Sequence, residues 1–297
     1  MKRSDRRNGV ILVTVLWSIA LLSALAMAAS VTFRGFAGVM AVERDRLQST
    51  ALLSAGLETA AGIIDALGNA PLLENEAKVN LTTGSVRTRL TDEGGRIDVG
   101  KAPTEVIAAL LRSVGAPQSA ANEVAQRIVE QRHPAGNVVP GSTKSATDSP
   151  QTGQPSMSEM GVPFSDLRQL QFVSGMRPEW LAGISSLATV FGSETINPLT
   201  ASLGVIAALP GVAKGQADAF VRARRSSSAD VERLMRMIEP ARRYLAVKPL
   251  RVASVELEAE LENGYAAAAR SVIVVLRQDS LPYRVLVWTP VSSQRLL

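Results

Sequence analysis

An α+β fold is what this sequence predicts: one long N-terminal helix packed on a small antiparallel sheet, with a large helical insertion between the strands. Three observations carry this expectation. Residues 1–70 contain no proline and keep apolar positions at helical spacing. Alternating, strand-like runs occur at 85–90 and again after residue 253. Between them, residues 95–245 read as mostly helical and contain an internal repeat.

The charge of the 297-residue chain is unevenly placed. The net +5 invites a nucleic-acid reading, but Lys2, Arg3, Arg6 and Arg7 against Asp5 put +3 into the first nine residues. The remaining residues carry only +2. Next comes an uncharged run, residues 10–33 (VILVTVLWSIALLSALAMAASVTF), closed by Arg34. At 1.5 Å per residue it spans about 36 Å as a helix, enough for the hydrocarbon core of a bilayer. The basic head places its own end in the cytoplasm and the rest of the chain across the membrane. A cleaved secretory signal competes with this reading, because Ala24-Leu25-Ala26 and Ala26-Met27-Ala28 are small-residue cleavage sites. An uncleaved anchor is the other alternative. Neither accounts for Gly9 at the boundary between head and apolar run.

Beyond the span, Phe33, Phe36, Val39, Leu47, Ala51, Ala55, Ile63 and Leu67 continue an apolar stripe, so a single helix is expected over 10–67, about 85 Å long. Gly35, Gly38, Gly56 and Gly62 weaken it locally by about 1 kcal/mol each and make gentle bends plausible. A loop after Pro71 leads to a strand with Val86, Thr88 and Leu90 on one face. Three more strands are expected at 253–261, 271–277 and 283–288. In the first of these, Val255, Leu257, Ala259 and Leu261 alternate with Glu256, Glu258, Glu260 and Glu262, a half-buried pattern with an acidic wet face.

Within the helical stretch, IDVGKAPTEVIAAL at 97–110 matches INPLTASLGVIAAL at 196–209, an offset of 99 residues. Asp98 and Asn197 stand where a helix cap or turn is expected, and Gly115 and Gly211 close the first helix of each copy. Each copy then continues into an arginine-bearing second helix, so the unit is a repeated helical hairpin. A third, looser hairpin spans 166–187. Residues 134–163, rich in proline, glycine, serine and threonine, are expected to form a flexible loop.

Gly9 followed by Val-Ile-Leu-Val, after a short basic leader, resembles the prepilin class. That resemblance implies cleavage between Gly9 and Val10 on the cytoplasmic face and methylation of the new Val10 amine. The fifth mature position is Thr14, where most pilins carry glutamate. Its absence, the element order, and the segments DEGGRIDVGKAP (92–103) and FGSETINPLTASLGVIAALPGV (191–212) together resemble the minor pseudopilins of the type II secretion system, of the general secretion pathway protein K family.

Over essentially the whole chain, the resemblance implies a prepilin leader (1–9), a transmembrane part of the long helix (10–33), a pilin-like α/β body (34–94 and 246–297), and an insertion domain of helix-hairpin-helix, SAM-like units (95–245). It implies a single-pass inner-membrane protein with a periplasmic body that initiates or caps the tip of a pseudopilus for export of folded proteins. The implied partners are other minor pseudopilins through the N-terminal helix, the prepilin peptidase and the inner-membrane secretion platform. Small residues Ala20, Ser23, Ala24, Ala28, Gly35 and Gly38 would allow close approach of neighbouring helices. Thr14 is the tip-specific position, since a subunit without the acid cannot neutralise the amine of a subunit above it. The bland alternative is that the threonine bonds within its own helix. The family can hold calcium, but Glu130 to Asn137 lacks a run of aspartates, so no ligands are assigned and no cofactor is expected.

The catalytic classes have little to stand on. Cysteine is absent and histidine occurs once, at His133, which reads as a solvated loop residue. No catalytic residues are assigned, and the protein is not expected to be an enzyme. The other reading is a secreted or periplasmic helix-hairpin-helix module binding DNA through the turn at 209–217 with Arg222, Arg224 and Arg225. Against it, residues 92–250 hold 17 basic and 15 acidic side chains, too small an excess for a duplex-binding surface.

Overall fold

A computed structural model describes residues 5–68, 70–72, 76–132, 164–225, 230–276 and 281–291. The loop expected at 134–163 lies outside these residues, as does His133.

Helix α1 runs from Asp5 to Leu67, 63 residues or about 95 Å. Its C-terminal half lies on a five-stranded antiparallel sheet built from β1 (Glu76–Leu81), β2 (Gly84–Asp92), β5 (Val252–Leu261), β6 (Ala266–Val275) and β7 (Tyr283–Val291), in the order β1-β2-β5-β6-β7. The numbers β3 and β4 belong to the helical unit inserted between β2 and β5. The fold is therefore the pilin-like α+β arrangement, with one long helix over a small sheet and helices placed between its strands.

The core under α1 is made by Leu52, Leu53, Leu57, Ala60, Ala61 and Ile64 against Val86, Leu90, Val255, Leu257, Ala259, Leu261 and Ile273. This corrects the expected stripe. Leu47 is 70% exposed, and Ala51 also faces solvent. Apolar residues between 51 and 64 go nearly all the way round the helix, so periodicity alone does not select a face. Gly56 does: a β-carbon there would lie 2.6 Å from Leu257 Cδ2 and 2.9 Å from Val86 Cγ2. The helix backbone touches the sheet at this glycine, and its neighbours on the same face are buried with it.

Val86, Thr88 and Leu90 point into this core, as do alternate residues of β5. The acidic wet face of β5 is not left bare. Register places Arg87 opposite Glu258 and Arg89 opposite Glu256 on one side, and Arg270 opposite Glu256 on the other. Ion pairs form at Arg89–Glu256 (3.7 Å) and Arg270–Glu256 (3.0 Å), cross-strand contacts of modest strength at an exposed site. Strand β1 at the sheet edge was not anticipated, and β6 begins five residues before the expected 271.

The helical unit comprises β3 (Ile97–Asp98), α2 (Thr104–Ser113), α3 (Gln118–Arg132), a 3-10 turn at Leu167–Phe172, α4 (Pro178–Ile184), β4 (Ala188–Thr189), α5 (Leu203–Ala207), α6 (Lys214–Arg224), α7 (Val231–Met237) and a 3-10 turn at Glu239–Tyr244. It has its own core, with Ile107, Leu110, Leu111, Ile128, Leu170, Ile184, Ile206 and Phe220 fully enclosed.

The internal repeat is also structural. Asp98 and Asn197 each accept a hydrogen bond from the backbone two residues on, at Gly100 (2.8 Å) and Leu199 (3.1 Å). In each copy the same residue's carbonyl then accepts from the amides three and four residues on. Both are therefore turn residues rather than helix caps. The hairpin glycines Gly115 and Gly211 have φ of 96° and 79°, a left-handed conformation that closes α2 and α5.

Asn263, in the turn between β5 and β6, donates to Asp45 of α1, and Gly56 lies over Leu257 and Val86. Following β5 backwards from that turn therefore moves along α1 toward its C-terminal end. The helical unit, entered after Asp92 and left before Val252, sits at the end of α1 remote from the N-terminal apolar segment.

Candidate assembly interface and its supporting junction

Gly9 and Val10 lie in the first two turns of α1. Every side chain of the apolar stretch Val13–Ala28 is exposed, with Trp17 at 73% and Leu16, Leu21, Leu22 and Leu25 each above 60%. Uncovered apolar surface on this scale fits lipid or neighbouring apolar helices, not water. By length and composition Gly38–Leu67 could also cross a membrane, but one face of it is packed on the sheet. Among the small residues, Ala20, Ser23, Ala24 and Ala28 are exposed on the helix, and a side chain at Gly38 would meet nothing within 4 Å. Thr14 is exposed, and its carbonyl accepts a hydrogen bond from Ser18 Oγ at 2.8 Å.

The two segments that carry the sequence resemblance meet at one junction between sheet and helical unit. Asp92, at the end of β2, accepts from Gly94 N (2.7 Å), Thr200 Oγ1 (2.5 Å) and Asn197 Nδ2 (3.3 Å). Asn197 Nδ2 also donates to the carbonyl of Lys248 at 3.1 Å, which ties the chain entering the sheet to the chain leaving it. Glu93 is 1% exposed. It accepts from Thr189 in β4 and Ser254 in β5 and pairs with Arg96 at 3.2 Å. Asp98, fully buried, pairs with Lys101 (3.3 Å), whose Nζ also reaches the Gly192 carbonyl at 2.8 Å. Asp92 and Glu93 came to notice in the sequence only through the resemblance, because their partners across the junction lie 96 to 161 residues away for Glu93 and 105 to 108 for Asp92.

Desolvation by burial raises the pKa of Asp98 above its ordinary value, against the opposing pull of Lys101 and the Gly100 N–H. Burial does the same to Asp92. A folded state that holds its proton more tightly than the unfolded chain loses stability as pH rises from the ordinary value through the raised one. Asp98→Asn keeps the acceptor for Gly100 and removes the titration. Its melting temperature, followed from about pH 4 to 7, is expected to fall less with rising pH than that of the parent. Parallel profiles would refute this.

Of the residues named for nucleic-acid binding, Arg222 and Arg225 are exposed, whereas Arg224 is not. Arg224 points into the unit and donates to the carbonyls of Pro198 (2.6 Å) and Ala201 (2.7 Å). At the start of α6, the Ala213 amide is taken by Gln216 Oε1 at 2.9 Å. Among the described residues, no group of three or more acidic or histidine side chains could hold a metal ion. The helix exit considered for calcium lies outside them beyond residue 132.

No protein-family model matches the chain, and no curated protein is similar to it. Among solved structures it is similar to a chain of the GspK-GspI-GspJ complex from the type 2 secretion system of enterotoxigenic Escherichia coli. The TM-score is 0.59 at 14% sequence identity, and the match covers 84% of this chain and 98% of that one. At that identity the likeness is one of fold.

Proposed function

We propose that this chain is a non-catalytic minor pseudopilin of a type II secretion system, which initiates or caps the tip of a periplasmic pseudopilus and so supports export of folded proteins. One observation carries the reading: the likeness to a chain of a pseudopilin complex extends over 84% of this chain and 98% of that one. The uncovered apolar helix before the sheet supports a single-pass inner-membrane anchor with the body in the periplasm. In this reading the prepilin peptidase cuts between Gly9 and Val10, and Val10 is then methylated. The exposed small residues of α1 take the helices of other minor pseudopilins, and the inner-membrane secretion platform assembles the fibre.

Mass measurement of the mature chain tests this directly. A methylated Val10 start is expected; a start at Ala29, or an intact Met1 chain, would overturn it. Thr14 supplies a second test. A carboxylate there would let the subunit neutralise the amine of a subunit stacked above it, so Thr14→Glu is expected to place the chain within the fibre and reduce secretion. Unchanged secretion with the variant still confined to the tip in cross-linking would leave the threonine as an ordinary helix residue.

A further inference from the structure

The charge of the mature chain is concentrated in the second half of the helical unit. Residues 214–251 hold ten basic and four acidic side chains, a net +6, so the rest of residues 10–297 sums to −4. The acids are mostly engaged close by: Asp230 caps the start of α7, while Glu232 and Glu239 both pair with Arg242 (3.1 and 3.6 Å). Arg243 is paired with Glu105, and Arg224 is turned inward. The side chains of Arg222, Arg225, Arg233 and Arg236 are exposed and form no ion pair or hydrogen bond with the described residues.

Their placement is that of a surface. Arg222 and Arg225 are three residues apart at the end of α6, and Arg233 and Arg236 are three apart on α7, so each pair shares a helix face. The two helices pack on one another, and Ala217 and Phe220 of α6 and Leu234 and Met235 of α7 point into the same core. The arginines therefore lie on the outer side of this helix pair. Favourable placement near helix C-termini accounts for part of the charge, but that effect is confined to the last turn and leaves the side chains free to bind.

We infer that this arginine surface is a docking site for an acidic protein segment, with Arg222, Arg225, Arg233 and Arg236 as its contact groups. Charge complementarity is the ground, and three features select protein among anions. Among the described residues of 214–251 no aromatic is open for base stacking, since Phe220 and Tyr244 are both buried. At the α6 N-terminus the Ala213 amide is bonded to Gln216 Oε1 and the Gln216 amide to the Ala213 carbonyl, which leaves fewer free amides for a phosphate. A membrane anchored at 10–33 lies about 50 Å away along α1, beyond several Debye lengths. That last step rests on the anchored pseudopilin reading; the first two do not.

The test uses the full-length chain in non-ionic detergent micelles and three probes: a glutamate-rich 20-residue peptide, a DNA duplex of equal charge, and anionic phospholipid vesicles. The peptide is expected to bind, with association slowing about tenfold in the Arg222→Gln/Arg225→Gln/Arg233→Gln/Arg236→Gln variant or on raising salt. A control losing the same charge at Arg87, Arg112, Arg127 and Arg168 should bind like the parent, and both variants should keep the parental melting temperature. Equal loss in the control, no loss in the first variant, or tighter binding of duplex or vesicles than of peptide would overturn the inference. Mass measurement of the mature N-terminus on the same preparation separates failure here from failure of the pseudopilin reading.

Discussion

Glu93→Ala is expected to lower the unfolding free energy by about 3 kcal/mol and to loosen the helical unit from the sheet. The carboxylate is 1% exposed and serves three groups from three places: Arg96 beside it, Thr189 in β4 and Ser254 in β5. Thr189 Oγ1 is itself fixed, because it accepts from the Phe191 amide at 3.0 Å while donating to Glu93. Removing the acid leaves a buried hydroxyl without its acceptor and Arg96 without its counter-ion. The cost falls at the lower end for a broken buried pair because the Arg96 side chain is 26% exposed and can rehydrate. Hydrogen exchange reports where the loss occurs. In the variant, amides of β3 and β4 should open at lower free energy than those at the centre of β5, whereas in the parent the two sets should be close. Glu93→Gln keeps one acceptor oxygen and should recover part of the difference. Uniform acceleration of exchange everywhere would mean that Glu93 merely adds stability and does not couple the two cores.

That coupling bears on the proposed role. A pseudopilus tip would transmit the push of the growing fibre from α1 through the sheet to whatever the helical unit meets, so the joint between them must be stiff. Two connections cross it, after Asp92 and before Val252, and three carboxylates are buried around it. A polar joint costs desolvation, visible in the raised pKa of Asp92 and Asp98, but it fixes one relative placement where an apolar joint could slide.

The parts of the fold legible in the sequence are those where local pattern and burial agree. The alternation at Val86, Thr88 and Leu90 and along β5 survives folding because one face of each strand meets α1. Strand β1 was not legible. It is an edge strand with no buried residue, and although Glu76–Leu81 alternates polar with apolar residues, the run is short and Val79 is its one β-branched residue. The start of β6 is Ala266 to Ala269, which reads as helix by propensity and becomes strand only through pairing with β5. Gly9, Val10 and Thr14 were read from a local signal, the end of a basic head and the fifth residue of the run that follows, and their proposed roles are put to the mass and Thr14→Glu measurements. The junction roles of Asp92 and Glu93 were not legible, since they exist only once segments more than ninety residues apart are brought together.

Gly56 is the second position where a large effect is expected, and it is one where helix propensity and packing give opposite signs. On propensity alone, replacing any glycine of α1 with a better helix former should gain up to about 1 kcal/mol. At Gly62 nothing lies within 4 Å of an added β-carbon, so Gly62→Ala is expected to gain close to that amount. At Gly56 the added carbon would overlap Leu257, Val86 and Thr88, at 2.6, 2.9 and 3.0 Å. Leu257 and Val86 are themselves buried against the helix, so neither can withdraw without moving a strand. Gly56→Val adds two further methyl groups to this contact and is expected to destabilise by about 3 kcal/mol, the upper end for overpacking. Thermal or urea unfolding of the two variants side by side checks the pair. If both glycines gave the same sign, α1 would not lie on the sheet at Gly56, and the buried face would return to the stripe through Leu47, Ala51 and Ala55.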